Sequence, residues 1–334
     1  MLKRIKRHQV RVGMFITDIE DPLRDEAAPM RSFLLKDEGA AAKVRASNII
    51  SLVIDTRRGV DVGTGRPLPE AQENRSSLSD LSRAFTQTEI KEALQTIEQT
   101  RPLLDTLFSN VRLGGAARFE PADRAVEQIA KSMESNPAAL IGITRLKTKD
   151  EYTFLHSLAV SALMVHFGRF LKFDEQAVRI LGISGLLHDV GKMLMPDAIL
   201  SKKGALTDEE MAEVRTHPVR GYELLSRQSD MPQIVLDVCL HHHERIDGKG
   251  YPFGLSDKQI STQARIAAIC DVYDAMTSAR SYKRAWTPAE TLRMMLKSEG
   301  HFDRHLLAQF NASLRASFSP IPPNERRSGA RAIQ

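Results

Sequence analysis

Residues 185–192 read Gly185-Leu186-Leu187-His188-Asp189-Val190-Gly191-Lys192, an apolar helical run that ends in an adjacent imidazole and carboxylate. Such a pair suits a divalent metal of the manganese, iron or zinc kind, but two ligands do not fix an ion by themselves. The run before it, residues 178–187, is almost wholly apolar and reads as a central buried helix. The decisive question is whether other histidines and aspartates arrive on helices able to converge on this one.

Working outward, the flanking segments repeat one grammar. Residues 152–172 are amphipathic, with Leu155, Leu158, Ala162 and Val165 along one stripe and His156 among them. Thr207 with Glu210 is a capping-box signature opening a helix that runs toward His217-Pro218. Residues 233–243 form another apolar helix, ending in His242-His243, and residues 264–276 another, carrying Asp271. Helical bundles build metal sites by projecting such side chains inward from facing helices. Taken singly each residue is weak, since a lone histidine on an amphipathic helix is more often hydrogen-bonded core or surface. His8, His166, His301 and His305 lack this context and read as structural or surface residues.

The second informative stretch is His241-His242-His243-Glu244-Arg245-Ile246-Asp247-Gly248-Lys249-Gly250-Tyr251-Pro252. Its glycines permit positive φ and close backbone approach, and its tyrosine offers a face and a hydroxyl. A purely structural turn needs glycine and proline, but not the histidines and glutamate before them.

Residues 138–315 therefore read as an all-α domain, the one that carries these candidate ligands. Residues 1–70 read as a small β-rich or α+β module: residues 10–19 and 49–55 are strand-like, and residues 40–47 are helix-like. Asp18, Asp21 and Asp25 there read as a solvated loop. Residues 71–137 read as a linker with connecting helices, the first interrupted at Pro102 and either packed on the core or forming a stalk. Residues 316–334 read as a flexible tail.

At 334 residues with 42% hydrophobic content, the chain can bury real cores. A net charge of +5, without a basic arm or stripe, gives no sign of a nucleic-acid polymer as partner. No stretch approaches the roughly 20 apolar residues of a membrane span, and the start lacks the apolar core of a signal peptide. The expected location is the cytoplasm. Its two cysteines, Cys239 and Cys270, read as small buried apolar residues rather than a disulfide.

The motifs His188-Asp189-Val190-Gly191-Lys192, His217-Pro218 with Gly221, the run 242–252 with Gly254-Leu255, and Asp271-Val272-Tyr273-Asp274-Ala275-Met276-Thr277 with Arg280 and Tyr282 resemble the HD-GYP family. That family is a branch of the HD-superfamily metal phosphohydrolases acting on cyclic di-GMP. The resemblance covers roughly residues 140–310 and implies an HD-type helical bundle. It makes His156, His188, Asp189, His217, His242, His243 and Asp271 metal ligands, with Asp189 bridging. The Glu-x-x-Asp-Gly that follows the three histidines sets the ligating pair as His242-His243. Asp189 and Lys192 would be catalytic, and Lys192, Tyr251, Arg280 and Lys283 would contact substrate.

Two divalent transition-metal ions are implied, iron or manganese first, with zinc, cobalt or nickel as alternatives. Some members have a glutamate one helical turn before the first histidine, supporting a third metal; Tyr152 stands there in this chain and favours two. The implied reaction is attack of a metal-bridging hydroxide on cyclic di-GMP to give linear pGpG, with onward cleavage to GMP less certain. Residues 1–70 also resemble, through Val12-Gly13-Met14-Phe15 and Val53-Ile54-Asp55, a small uncharacterised domain found before HD-GYP domains. By analogy it would regulate or dimerise, and it or the Gly-Tyr-Pro loop would meet a signalling partner. An enzyme of the same superfamily acting on another nucleotide, and a non-catalytic cyclic di-GMP sensor, stay open as alternatives.

Overall fold

The protein is described by a computed structural model covering residues 2–20, 32–47, 51–61, 66–67, 85–115, 117, 119–145, 152–200, 202, 205–278 and 285–318. Most of the expected linker, the tail from residue 319, Asp21, Asp25, Arg280, Tyr282 and Lys283 lie outside the described residues.

The N-terminal module is a five-stranded sheet. Strands β1 (Leu2–Lys6), β2 (Phe15–Glu20), β3 (Phe33–Leu34), β4 (Ser51–Asp55) and β5 (Arg66–Pro67) stand in the order β3-β2-β4-β1-β5, each described neighbour pair antiparallel. Helix α1 (Glu38–Ala46), N-capped by Asp37, helps close a small core of Ile5, Val10, Met14, Ile16, Leu35, Ala41, Leu52 and Ile54. Asp18, expected in a loop, is in β2, just past an irregularity in the β2/β4 register. Pairing with β4 decides it, Asp18 standing opposite Val53 and Ile19 opposite Leu52.

A second, larger core belongs to the helices. Helix α2 (Gln87–Arg112) starts in a Thr86/Glu89 capping box and runs unbroken through Pro102. Pro102 sits on the exposed face, where the carbonyl left without its N–H partner is open to water, so the expected interruption does not occur. Helices α3 (Phe119–Ser135) and α4 (Pro137–Thr144) follow, with Asn136 capping the latter. Leu104, Leu107, Val111, Val126, Ile129 and Leu140 share one hydrophobic cluster with Leu158, Leu163, Leu186 and Val235. Helices α2 to α4 thus pack on the bundle rather than forming a stalk.

The centre of that bundle is α5 (Tyr152–Phe170) against α6 (Glu175–Leu187). Gly182 and Gly185 let them approach: a Cβ on Gly185 would lie 2.9 Å from the Cα of Ser161. A 3-10 turn (Val190–Leu194) leads to α7 (Asp197–Leu200), α8 (Asp208–Val214), α9 (His217–Leu225) and α10 (Gln233–His241). After the Gly-Tyr-Pro loop come α11 (Thr262–Thr277), α12 (Pro288–Lys297) and α13 (Arg304–Phe318). Among the described residues, no helix is long and apolar enough to cross a membrane.

Candidate metal centre

Three of the histidines stand at helix ends by one local device. His188 caps the C-terminus of α6, and its Nδ1 lies 2.8 Å from the carbonyl of Gly185. His242 caps α10, with Nδ1 3.0 Å from Cys239 O and 3.1 Å from Val238 O. His217 does not close the third segment as expected: α8 stops at Val214 and His217 opens α9, its Nδ1 2.8 Å from Val214 O. Carbonyls at helix C-termini lack intrahelical donors and accept these ring N–H groups. Since a carbonyl can only accept, each neutral ring carries its proton on Nδ1 and turns an unprotonated Nε2 inward.

His156 comes from the first turns of α5 and obeys the same logic with a different acceptor. Its Nδ1 donates to Asp274 Oδ2 at 2.7 Å, and Ser278 Oγ donates to the other oxygen at 3.2 Å. Asp271, one turn earlier on α11, lies 3.1 Å from His156 Nε2 through Oδ1. The Asp189 carboxylate divides between two clusters. Its Oδ1 is 3.1 Å from His217 Nε2 and 3.6 Å from His242 Nε2, while its Oδ2 is 3.3 Å from His188 Nε2 and 3.6 Å from His156 Nε2. Asp189, His217, His242 and His243 form one donor set and His156, His188 and Asp271 another, each with donor atoms within 4.8 Å of one another. All seven expected ligands therefore meet.

These donors fit metal ions. His217 Nε2 and His242 Nε2 face each other at 3.3 Å with their other nitrogens committed to carbonyls, so two lone pairs oppose with no proton to reconcile them. The buried His188 Nε2, His243 Nε2 and Asp189 Oδ1 have no hydrogen-bond partner. Such orphaned buried acceptors are costly unless a cation satisfies them. Burial pushes His242 down to about 4 and His243 well below its ordinary value, keeping both rings neutral. Burial opposes charge on His156 and Asp189 too, but specific partners prevail. Hydrogen bonds to Asp189, Asp271 and Asp274 push His156 up to about 10. Lys192 and then His188 hold Asp189 well below the carboxylate range.

Lys192 Nζ is 2.7 Å from Asp189 Oδ2, one turn along the 3-10 segment. Gly191 makes that turn possible: a Cβ there would stand 2.0 Å from His217 O. Tyr251 stacks on His243, ring centroids 4.6 Å apart and planes at 24°. Its loop is braced by Glu244, a buried carboxylate accepting from Phe253 N at 2.7 Å and Leu255 N at 2.9 Å. Gly250 fits tightly beneath, where a Cβ would be 2.5 Å from Glu244 Cα.

Sequence reasoning gave Asp274 and Glu244 no individual role. The three-residue step from Asp271 to Asp274 on one helix face is the signal that could have found the first. His301 was read as structural or surface. The structure buries its Nδ1 without a hydrogen-bond partner, while its carbonyl accepts from Ile246 N at 3.2 Å. Burial pushes this ring down to about 4. Cys239 and Cys270 are buried free thiols pushed up by burial, as apolar packing requires. Arg280 and Lys283 lie outside the described residues, and nothing described bears on the Tyr152 side chain.

A helical bundle with paired His/Asp donor sets at its helix junctions defines a metal-site protein of HD type, and the family comparisons agree. The model for the HD domain matches residues 127–306, and one for a domain of unknown function (DUF3391) matches residues 2–122. The chain belongs to the HD-domain family, in its HD-GYP branch.

Among its relatives, it is 41% identical over 317 residues to cyclic di-GMP phosphodiesterase PA4108 of Pseudomonas aeruginosa, covering 93% of this chain and 76% of that one. It is 46% identical over 131 residues to the cyclic di-GMP phosphodiesterase response regulator RpfG of Xanthomonas campestris, covering 39% of this chain and 35% of the relative. The solved structure of Bd1817, an HDG"Y"P protein from Bdellovibrio bacteriovorus, shares the fold with a TM-score of 0.55 at 19% identity, over 94% of this chain and 100% of that one.

Proposed function

We propose that this protein is a metal-dependent phosphodiesterase that hydrolyses cyclic di-GMP to linear pGpG. The observation that carries the reading is the Asp189 carboxylate, whose two oxygens face different imidazole clusters with lone pairs already turned inward. The relatives' names supply the substrate.

In this reading His156, His188 and Asp271 would hold one ion and His217, His242 and His243 a second, with Asp189 available to both sets. Iron or manganese suits this mixed nitrogen and oxygen donor set best, with zinc, cobalt or nickel as competitors. Bound there, such ions would supply an acidified water as nucleophile and Lewis-acid polarisation of the phosphodiester. The chain's own residues do the rest. Lys192 turns from Asp189 to a non-bridging phosphate oxygen and offsets the charge that develops there. Tyr251, held on His243 in the Gly-Tyr-Pro loop, is assigned a substrate contact on the strength of the motif. Arg280 and Lys283 join the phosphate contacts on the strength of the motif alone. Residues 1–70 are assigned a regulatory or dimerising role.

Metal analysis of anaerobically purified protein, with identification of the products from a nucleotide panel, tests the reading. About two ions per chain and conversion of cyclic di-GMP to pGpG are expected. Cleavage of deoxynucleoside triphosphates with cyclic di-GMP left intact would sink it, and so would tight cyclic di-GMP binding without turnover in metal-loaded protein.

A further inference from the structure

We propose that Arg215 anchors the substrate from the rim of the metal centre by binding the phosphodiester that is not being cut, an inference that rests on the cyclic-dinucleotide reading. Arg215 follows the last residue of α8 and precedes the ligand candidate His217 by two positions. Its backbone N–H bonds back to Met211 O and Glu213 O, which fixes where the side chain leaves the helix. The side chain is exposed, and its guanidinium carbon lies over the Tyr251 ring, 5.4 Å from the centroid. That ring in turn stacks on His243. An exposed cation thus stands over the tyrosine, two layers from the donor set.

The substrate's chemistry gives this cation a task. A cyclic dinucleotide carries two phosphodiester anions, and only one occupies the metals in a given cut. The other must lie near the rim of a site whose donors include the carboxylates of Asp189 and Asp271. Lys192 lies on the Asp189 side, bonded to Oδ2, and is assigned the phosphate being cut. Arg215 approaches from the opposite donor set, over the tyrosine packed on His243. A planar five-donor fork matches two phosphate oxygens at once, and stacking on an aromatic ring limits the freedom lost when it binds. Arg215 is in neither donor set and meets the centre through the Tyr251 ring, so its contribution belongs to binding rather than to the chemical step.

The test compares Arg215→Ala and Arg215→Lys with the parent enzyme on cyclic di-GMP and on bis(p-nitrophenyl) phosphate, a diester with a single phosphate. Loss of a charged hydrogen-bonding contact should raise KM for cyclic di-GMP by about tenfold or more in the alanine variant. The kcat should stay within about threefold, and the ratio of the two substrates' KM values should rise with KM for cyclic di-GMP. Lysine should restore part of the loss, because it keeps the charge but not the fork. Equal losses on both diesters, a fall confined to kcat, or an unchanged KM for cyclic di-GMP would overturn the assignment. Failure of the parent enzyme to turn over cyclic di-GMP would instead strike the functional reading itself.

Discussion

Replacing Asp274 tests whether the lock on His156 matters to the metal centre. Asp274 is 2% exposed and touches no proposed metal position, yet its Oδ2 accepts the His156 Nδ1 proton at 2.7 Å. That bond makes Nε2 the acceptor nitrogen and enriches the ring as a ligand. A hydrogen bond to a charged group contributes about 1.5–3 kcal/mol, and a neutral one about 0.5–1.5 kcal/mol. Asp274→Asn keeps shape and an acceptor oxygen but gives up the charge, so it should cost about 1–1.5 kcal/mol, near tenfold in affinity for the ion held by His156, His188 and Asp271. Asp274→Ala frees the ring as well and should approach the hundredfold end of the range seen when such supporting groups are removed. Dialysis against chelator-buffered metal followed by elemental analysis reads the result. Occupancy should fall toward one ion per chain, because Asp189, His217, His242 and His243 are untouched. Full occupancy at every buffered concentration, with circular dichroism unchanged, would refute the reasoning.

Three further outcomes follow from specific contacts. Gly191→Ala should abolish metal binding on both sides of Asp189 while the helical signal persists, because its Cβ would stand 2.0 Å from the His217 carbonyl and one or both must move; elemental analysis with circular dichroism checks it. Glu244→Gln sets an amide donor against one of the two N–H groups it now accepts from, and should lower stability by about 1–3 kcal/mol and open residues 250–255 to limited proteolysis. Asp303→Ala should lose about 1–2 kcal/mol at neutral pH, since the carboxylate caps α13 through His305 N and Leu306 N and pairs with Arg265 at 2.8 Å. Burial opposes charge on Asp303 but these partners hold its pKa below the ordinary value, so its contribution is full above the unfolded value near 3.9 and fades as pH falls through the lower folded one. Denaturation curves of the two proteins should therefore converge in acid, and a gap that persists there would count against the assignment.

The helical catalytic half was legible because its signals are local. Apolar stripes at helical spacing and the Thr207/Glu210 box each act within a few residues, and the structure places them accordingly. Pro102 misled because a proline's effect depends on which face it occupies, and facing depends on tertiary packing. Asp18 misled for a related reason, since its strand is set by pairing with residues 52–53, far along the chain. The packing of α2 to α4 could not be chosen from sequence, because an apolar stripe does not name its partner.

The centre itself was legible in proportion to how locally each side chain is oriented. His188, His217 and His242 donate to carbonyls three residues back, so the helix end aims the ring, and for His188 and His242 the preceding apolar run marks it in sequence. His156 and Asp271 are aimed differently. They project from within α5 and α11, and His156 is locked by Asp274 from the other helix. No local pattern carries that lock: helical spacing placed both residues among the candidates, and the resemblance made them ligands. The two donor sets therefore differ in what they depend on. The set of His217, His242 and His243 needs intact helix ends, whereas that of His156, His188 and Asp271 also needs α5 packed against α11. Loosening that interface should release one ion before the other, with Asp189 left to serve the set that remains.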